Sequence, residues 1–256
     1  MSFVTSRVDG HTGVVSLNRP DALNAISGAM ADDIAGAMED VSADGDVWVV
    51  VLRAEGSKAF CVGADLKERA GFSLQDFYAN RNQVRGMFEA VRSVPQPTIA
   101  GIFGFALGGG CELALSCDLI VAAEGTMIGL PETRVGLIPA GGGTQLLTRK
   151  VGTSRAKELI FAGKQIDAAA AQRLGLVSDV VARERLDDAL LQTARDLCRS
   201  SPVALREAKR AIDAAIPLEE GLEAEHDAWT VVIASEDRTE GIAAFNEKRS
   251  PEWKNR

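Results

Sequence analysis

The sequence predicts an α/β fold, and three observations point to it. Strand-like and helix-like stretches alternate through about residue 140. One strand-like stretch, "VWVVVLRAEG", is a run of valines without alternation, as expected of a strand buried on both faces of a parallel sheet. From Thr144 onward helical patterns dominate, so the chain closes on helices rather than on more sheet. With 256 residues, 46% of them hydrophobic, it can bury one large core or a core plus a small extension.

The elements follow in order. "FVTSRVDGHTGVVSLNRP" reads as two short strands around a turn at Asp9-Gly10, and Pro20 ends the second because proline cannot donate to a ladder. "SGAMADDIAGAMEDVSAD" has apolar residues at helical spacing with acids on the other face. The valine strand leads into a loop, "GSKAFCVGADLKE". Residues 73–94 read as a helix that ends before "PQP". "PTIAGIFG" is strand-like, the triplet Gly108-Gly109-Gly110 then opens a helix, and "DLIVAAE" is another strand. "MIGLPETRVGLIPAGGGTQ" is loop-rich with a second glycine cluster. A short strand is expected at "LVSDVV", Pro202 starts a helix at its first turn, and Pro217 separates two more.

Composition narrows the function classes. The net charge of -8 and pI near 5.0 disfavour a nucleic-acid binder that relies on a general positive field. Cys61, Cys111, Cys117 and Cys198 form no CxxC, and His11 and His226 lie far apart, so no metal site is expected and the thiols read as reduced, in the cytoplasm. "MSFVTSRVDG" lacks a signal-peptide pattern. The longest apolar run, 97–118, contains five glycines and Glu112, which argues against a membrane span.

Glu112 is the residue that asks for an explanation. It stands in an apolar run immediately after three glycines, and lone acids are rarely buried without a partner or a task. Glycines let a backbone approach a ligand closely, and the first N–H groups of a helix have no partner within it. The stretch therefore reads either as a site for a developing oxyanion or as close helix packing. It lacks the Lys-Ser/Thr of a phosphate loop and the spacing of a dinucleotide fingerprint. Glu132, in "GLPET", follows 20 positions later, and a strand and turn between them would bring the carboxylates together for divided acid and base work.

Taken together, "LNRPDALNAI", "KAFCVGADLKE", "PTIAGIFGFALGGGCELALSCDLIVAAE", "GLPETRVGLIPAGGGTQLLTRKVG", "GLVSDVV" and "EGIAAFNEKR" resemble the crotonase superfamily, the enoyl-CoA hydratase/isomerase fold, over nearly the whole chain. The resemblance implies a crotonase-like spiral of ββα units at 1–200 and a helical C-terminal oligomerisation region at 201–256, in a trimer or dimer of trimers. It implies an oxyanion hole from the N–H groups of Ala64 and Gly109, Glu112 as the base that activates water, and Glu132 as the acid. Arg19, Ala22, Ala64, Asp65, Leu66, Lys67, Gly109, Phe245 and Lys248 would bind the acyl-CoA substrate, and no cofactor is needed beyond the CoA of the substrate itself. The expected reaction is hydration of a 2-enoyl-CoA, with isomerisation or hydration of a branched methylglutaconyl-CoA as the alternatives. That last branch includes RNA binders, but the matching stretch here, Asp21 to Gly45, holds six acids and no Lys or Arg, so no nucleic acid is expected. Val62 and Ala140 depart from the family's usual alanine and glycine and leave each proposed catalytic group in place.

Overall fold

A computed structural model describes residues 2–200, 202–214, 229–230 and 233–249. The break expected at Pro217 lies outside the described residues.

The six-stranded sheet runs β1 (Val4–Asp9), β2 (Thr12–Leu17), β3 (Val49–Ala54), β4 (Thr98–Ile102), β6 (Leu119–Ala123) and β9 (Asp179–Val181). The β1–β2 hairpin is antiparallel and every later pairing is parallel. Its central strands are buried at every turn of the chain: Val49, Val50 and Leu52 have no exposed surface. This is why the valine run shows no alternation. Each fully buried Val or Leu contributes about 1.5–3 kcal/mol relative to exposure.

Three further strands were not visible in the sequence. β5 (Phe105–Leu107), β7 (Met127–Gly129) and β8 (Gln165–Asp167) form a small second sheet, β5 parallel to β7 and β7 antiparallel to β8. The spiral follows from this division. After β4 in the large sheet the chain adds β5 to the small one and turns into α4 (Gly109–Leu115). After β6 it adds β7 and turns into a short 3-10 segment, Glu132–Val135. The ββα units expected from the resemblance are these turns, and their second strands are only three residues long.

The helices that bear on the site are well specified locally. α1 (Gly28–Ala43) starts at Ser27, whose hydroxyl accepts from Met30 N. After α2 (Leu66–Arg69), α3 (Leu74–Arg92) starts at a reciprocal cap: Ser73 Oγ accepts from Asp76 N at 3.2 Å, and Asp76 Oδ2 accepts from Ser73 N at 2.8 Å. α5 (Gly143–Val151) follows the second glycine cluster, and α6 (Thr153–Phe161) and α7 (Ala168–Arg173) come after it. α8 (Leu186–Leu197) lies so close to the large sheet that a Cβ at Gly101 would run into Leu190. α9 begins at Pro202, as expected, and runs to Ala214. Its Lys209 pairs with Asp118 at 2.8 Å and donates to Gln96 O at 3.1 Å, tying the helix to the starts of β4 and β6. α10 (Glu236–Glu247) packs on the Glu132–Val135 turn, where a Cβ at Gly241 would meet the Val135 carbonyl.

Candidate active site

Two backbone segments form the centre of the site. Cys61 N donates to Phe105 O at 3.1 Å and Leu107 N donates to Cys61 O at 3.0 Å, which lays the 61–64 loop along β5. On its other side the loop pairs with Ile26, using Ile26 N to Gly63 O at 2.8 Å and Asp65 N to Ile26 O at 2.9 Å. That pairing skips the Ala64 N–H. Gly109 is the first residue of α4, so its N–H belongs to the turn that no helical carbonyl satisfies. A Cβ placed on Gly109 would lie 3.8 Å from the Ala64 nitrogen. The backbones of the two expected oxyanion donors therefore lie side by side.

Glycine is required here for two distinct reasons. Gly63 has φ +92°, and a Cβ on it would stand 2.9 Å from Leu107 O and 3.0 Å from Gly109 N. A Cβ on Gly110 would run into the Cys61 carbonyl. Gly110 thus serves close packing, and Gly109 stands at the first position of the helix.

Glu112 is 4% exposed. Its Oε1 accepts from Gly141 N at 2.8 Å and from Gly143 N at 2.9 Å. The second glycine cluster is therefore the cradle of this carboxylate. A Cβ on Gly143 would lie 2.8 Å from Glu112 Oε1, and one on Gly141 would enter the Phe88 ring. Burial pushes the Glu112 carboxyl above its ordinary value, against the opposing pull of the Gly143 and Gly141 N–H groups and of the Arg81 and Arg92 charges. A carboxylate held this way is more basic than a solvated one and still strongly hydrogen-bonded.

Glu132 reaches the same place by a different route. β5 and β7 pair with Leu107 opposite Gly129, and Gly108 N donates to Gly129 O at 2.9 Å. Both chains leave the small sheet at one level. Glu112 lies four residues past Gly108, and Glu132 three past Gly129. Glu132 Oε1 comes within 3.3 Å of where a Gly108 Cβ would be. Burial raises the Cys111 thiol, and the charges of Glu132 and Glu112 add to that rise, so both carboxylates lie close to this one side chain. The parallel register, rather than a turn between the two glutamates, converts their sequence separation into proximity.

The expected CoA contacts divide into braces and surface groups. Arg19 Nη1 pairs with Asp65 Oδ2 at 2.7 Å and donates to Ala25 O at 2.8 Å, so it holds the loop instead of standing as a free cation. Asp65 also caps α2 through Lys67 N and Glu68 N. Burial pushes Asp65 up, but Arg19 and the two N–H groups outweigh it and hold the carboxyl below its ordinary value. Ala22 ends a 3-10 turn at Pro20–Ala22, Leu66 opens α2 and is half-buried, and Lys67 is exposed on that helix. Phe245 is 55% exposed on α10, and Lys248 ends that helix at φ +56°.

Several site residues escaped the sequence reading. Asn24, fully buried, donates to Glu55 O and Ala59 O and accepts from Arg19 N. It and Leu23 have positive φ, strain located just ahead of the Ile26 that supports Ala64. Gly141, Gly143 and the arginines of α3 were also missed. The positive φ at Asn24 is a preference of asparagine that "ALNAI" carried. The role of Gly141 and Gly143 had a weaker signal, their clustering ahead of a helix.

A groove of about 240 Å³, lined by Thr133, Ile138, Lys157 and Phe161 among others, flanks the Glu132 turn. It contains neither glutamate.

Comparison with known proteins gives one consistent answer. The family described as enoyl-CoA hydratase/isomerase matches residues 9–256. A probable enoyl-CoA hydratase of Rhizobium meliloti is 43% identical, with 100% of both chains covered. The mitochondrial methylglutaconyl-CoA hydratase of Mus musculus is 40% identical over 94% of this chain and 79% of that protein. Among solved structures, an enoyl-CoA hydratase of Bacillus anthracis superposes with TM-score 0.81 at 40% identity, covering 100% of both chains. A carnitinyl-CoA hydratase of Mycobacterium avium gives TM-score 0.89 at 33% identity, again over 100% of both.

Proposed function

The chain belongs to the enoyl-CoA hydratase/isomerase family, and on that premise we propose that it adds water across the double bond of a 2-enoyl-CoA thioester. The observation that supports this reading most is that the Glu112 and Glu132 carboxylates both lie close to Cys111, next to the backbone of Gly109 and Ala64.

The thioester oxygen sits on the Ala64 and Gly109 N–H groups. Glu112 takes a proton from water, and the water oxygen bonds to C3. The electron pair of the C2–C3 double bond moves toward the thioester, and the oxyanion donors stabilise the resulting enolate. One such donor contributes about 2.7–4 kcal/mol to lowering a barrier of this type. Glu132 then gives its proton to C2, and the product is a 3-hydroxyacyl-CoA. Proton exchange with solvent restores both carboxyls. This chemistry asks for no metal or redox group.

The acyl-CoA binds along 64–67, with Lys67, Phe245 and Lys248 at its CoA end. Arg19, Ala22 and Asp65 shape that path from beneath. The same reading makes the protein a homo-oligomer, a trimer or dimer of trimers, in the cytoplasm. Its support is the family together with exposed apolar residues of the C-terminal helices, Val203, Ile212 and Phe245. Among the described residues no helix is long and apolar enough to cross a membrane.

Crotonyl-CoA hydration, followed by loss of the conjugated thioester absorbance, tests the assignment. Glu112→Gln and Glu132→Gln are each expected to lower kcat about 10²–10⁴-fold with the fold retained. Near-normal rates in both variants would sink it. A 3-enoyl-CoA assayed alongside separates hydration from isomerisation.

A further inference from the structure

We propose that Arg92 is a positioning residue for the water-activating step: it fixes the glycine loop that grips Glu112 and sets a positive charge behind that carboxylate. This rests on the reading of Glu112 as the base.

The loop "PAGGG" (139–143) has a task that its own side chains cannot perform. Gly141 and Gly143 must aim two N–H groups at Glu112 Oε1, yet three consecutive glycines are the most permissive backbone in a chain. α3 supplies the restraint. Phe88 packs under Gly141 so closely that a Cβ there would enter its ring. One turn later, Arg92 Nη1 donates to Gly141 O at 3.0 Å. Gly142, at φ +117°, would place a Cβ 3.4 Å from the same Nη1. Gly141 is therefore held on both sides, its carbonyl by Arg92 and its N–H by Glu112. A helix C-terminus is also a favourable place for a cation, and Arg92 is the last residue of α3.

The charges around Glu112 make the second half of the argument. The charges of Arg69 of α2 and of Arg81 and Arg92 of α3 act on it, and Glu132 and the Cys111 thiol lie close by. The loop and the first residue of α5 supply the two N–H groups, while Lys150, farther along that helix, acts on Cys117. Two carboxylates and three guanidiniums thus share the site. The arginines oppose the upward push of burial on the Glu112 carboxyl, and Arg92 does so while also bonded to the cradle.

The test is the pH dependence of kcat/KM for crotonyl-CoA in the wild type and in Arg92→Met, Arg92→Gln and Arg92→Lys, with Glu112→Gln as control. Without the charge, Glu112 holds its proton to higher pH. The acid limb is therefore expected to move up by about one pH unit in the Met and Gln variants and to return in Arg92→Lys. In Arg92→Met, kcat is expected to fall about 10–100-fold with little change in KM, the mark of a misplaced catalytic group. If Arg92→Met does not fold, Arg92→Gln, which keeps a neutral donor near Gly141 O, carries the test. An unmoved acid limb in a folded Gln variant, or a change confined to KM, overturns the inference. If Glu112→Gln itself keeps a near-normal rate, the assignment of the base has failed instead.

Discussion

The two glutamates are held by different parts of the molecule. Glu112 stands on α4, in continuity with the main core, and its carboxylate is gripped by backbone from the start of α5. Glu132 stands at the head of a four-residue 3-10 turn. Behind that turn lies a separate apolar cluster of Phe77, Leu137, Trp229, Ile233 and Ile242, in which the last two and Trp229 come from the C-terminal part of the chain. Arg238 lies over the Phe77 ring at 4.7 Å and helps to close this cluster. Glu112 is thus held within the main core, whereas the Glu132 turn rests against the C-terminal part of the chain. Glu112 is positioned by hydrogen bonds to the Gly141 and Gly143 N–H groups, and the Glu132 turn is backed by the packing of that apolar cluster.

The largest expected effect distinguishes the two directly. Glu112→Gln can still accept from Gly141 and Gly143, so its fold should be kept while hydration falls about 10²–10⁴-fold. Circular dichroism and a thermal melt beside the rate assay check this; an unfolded Glu112→Gln would mean that charge, rather than shape, holds the cradle. A smaller effect is expected from Gly241→Ala. Alanine suits a helix better than glycine, yet its Cβ meets the Val135 carbonyl, so α10 must move off the Glu132 turn. We expect kcat to fall about 10-fold and Tm to drop as α10 loses packing on the turn, and a Gly241→Ala enzyme with full activity would break the claim that α10 positions Glu132.

Much of this contrast was legible in the sequence, and the rest was hidden for physical reasons. The valine strand, the Ser27 and Ser73 starts and the Pro202 helix carry local signals, and the sequence shows them. Glu112 is conspicuous because an acid is costly in an apolar run, and Glu132 stands out in "GLPET" by its spacing of 20 from Glu112. β5, β7 and β8 were missed because three residues cannot display a period of two. Arg81 and Arg92 were passed over because arginines on an amphipathic helix ordinarily face water; here Arg81 is 7% exposed, and its surroundings come from residues far along the chain. The brace by which Arg19 Nη1 engages Asp65 and Ala25 carries no local signal in the sequence.

The smallest expected effect lies in that brace. Asp65 has a depressed carboxyl, so its pairing stabilises the fold fully above its ordinary value of 3.8 and the contribution is lost as pH falls through the lower folded value. Asp65→Asn should cost about 1–3 kcal/mol at neutral pH, read as a lower Tm. The gap from the wild type should close as the pH is brought well below 4. A gap that stays constant with pH would mean that the Asp65 carboxylate contributes shape alone.

The division of labour between the glutamates has one direct measurement. A saturated acyl-CoA in deuterium oxide offers a C2 proton but no double bond to hydrate, so deuterium uptake at C2, followed by mass spectrometry, reports the C2 acid–base group alone. The account predicts that uptake survives in Glu112→Gln and is lost in Glu132→Gln, although both variants fail to hydrate crotonyl-CoA. Uptake that survives in Glu132→Gln and disappears in Glu112→Gln would contradict it and exchange the two roles.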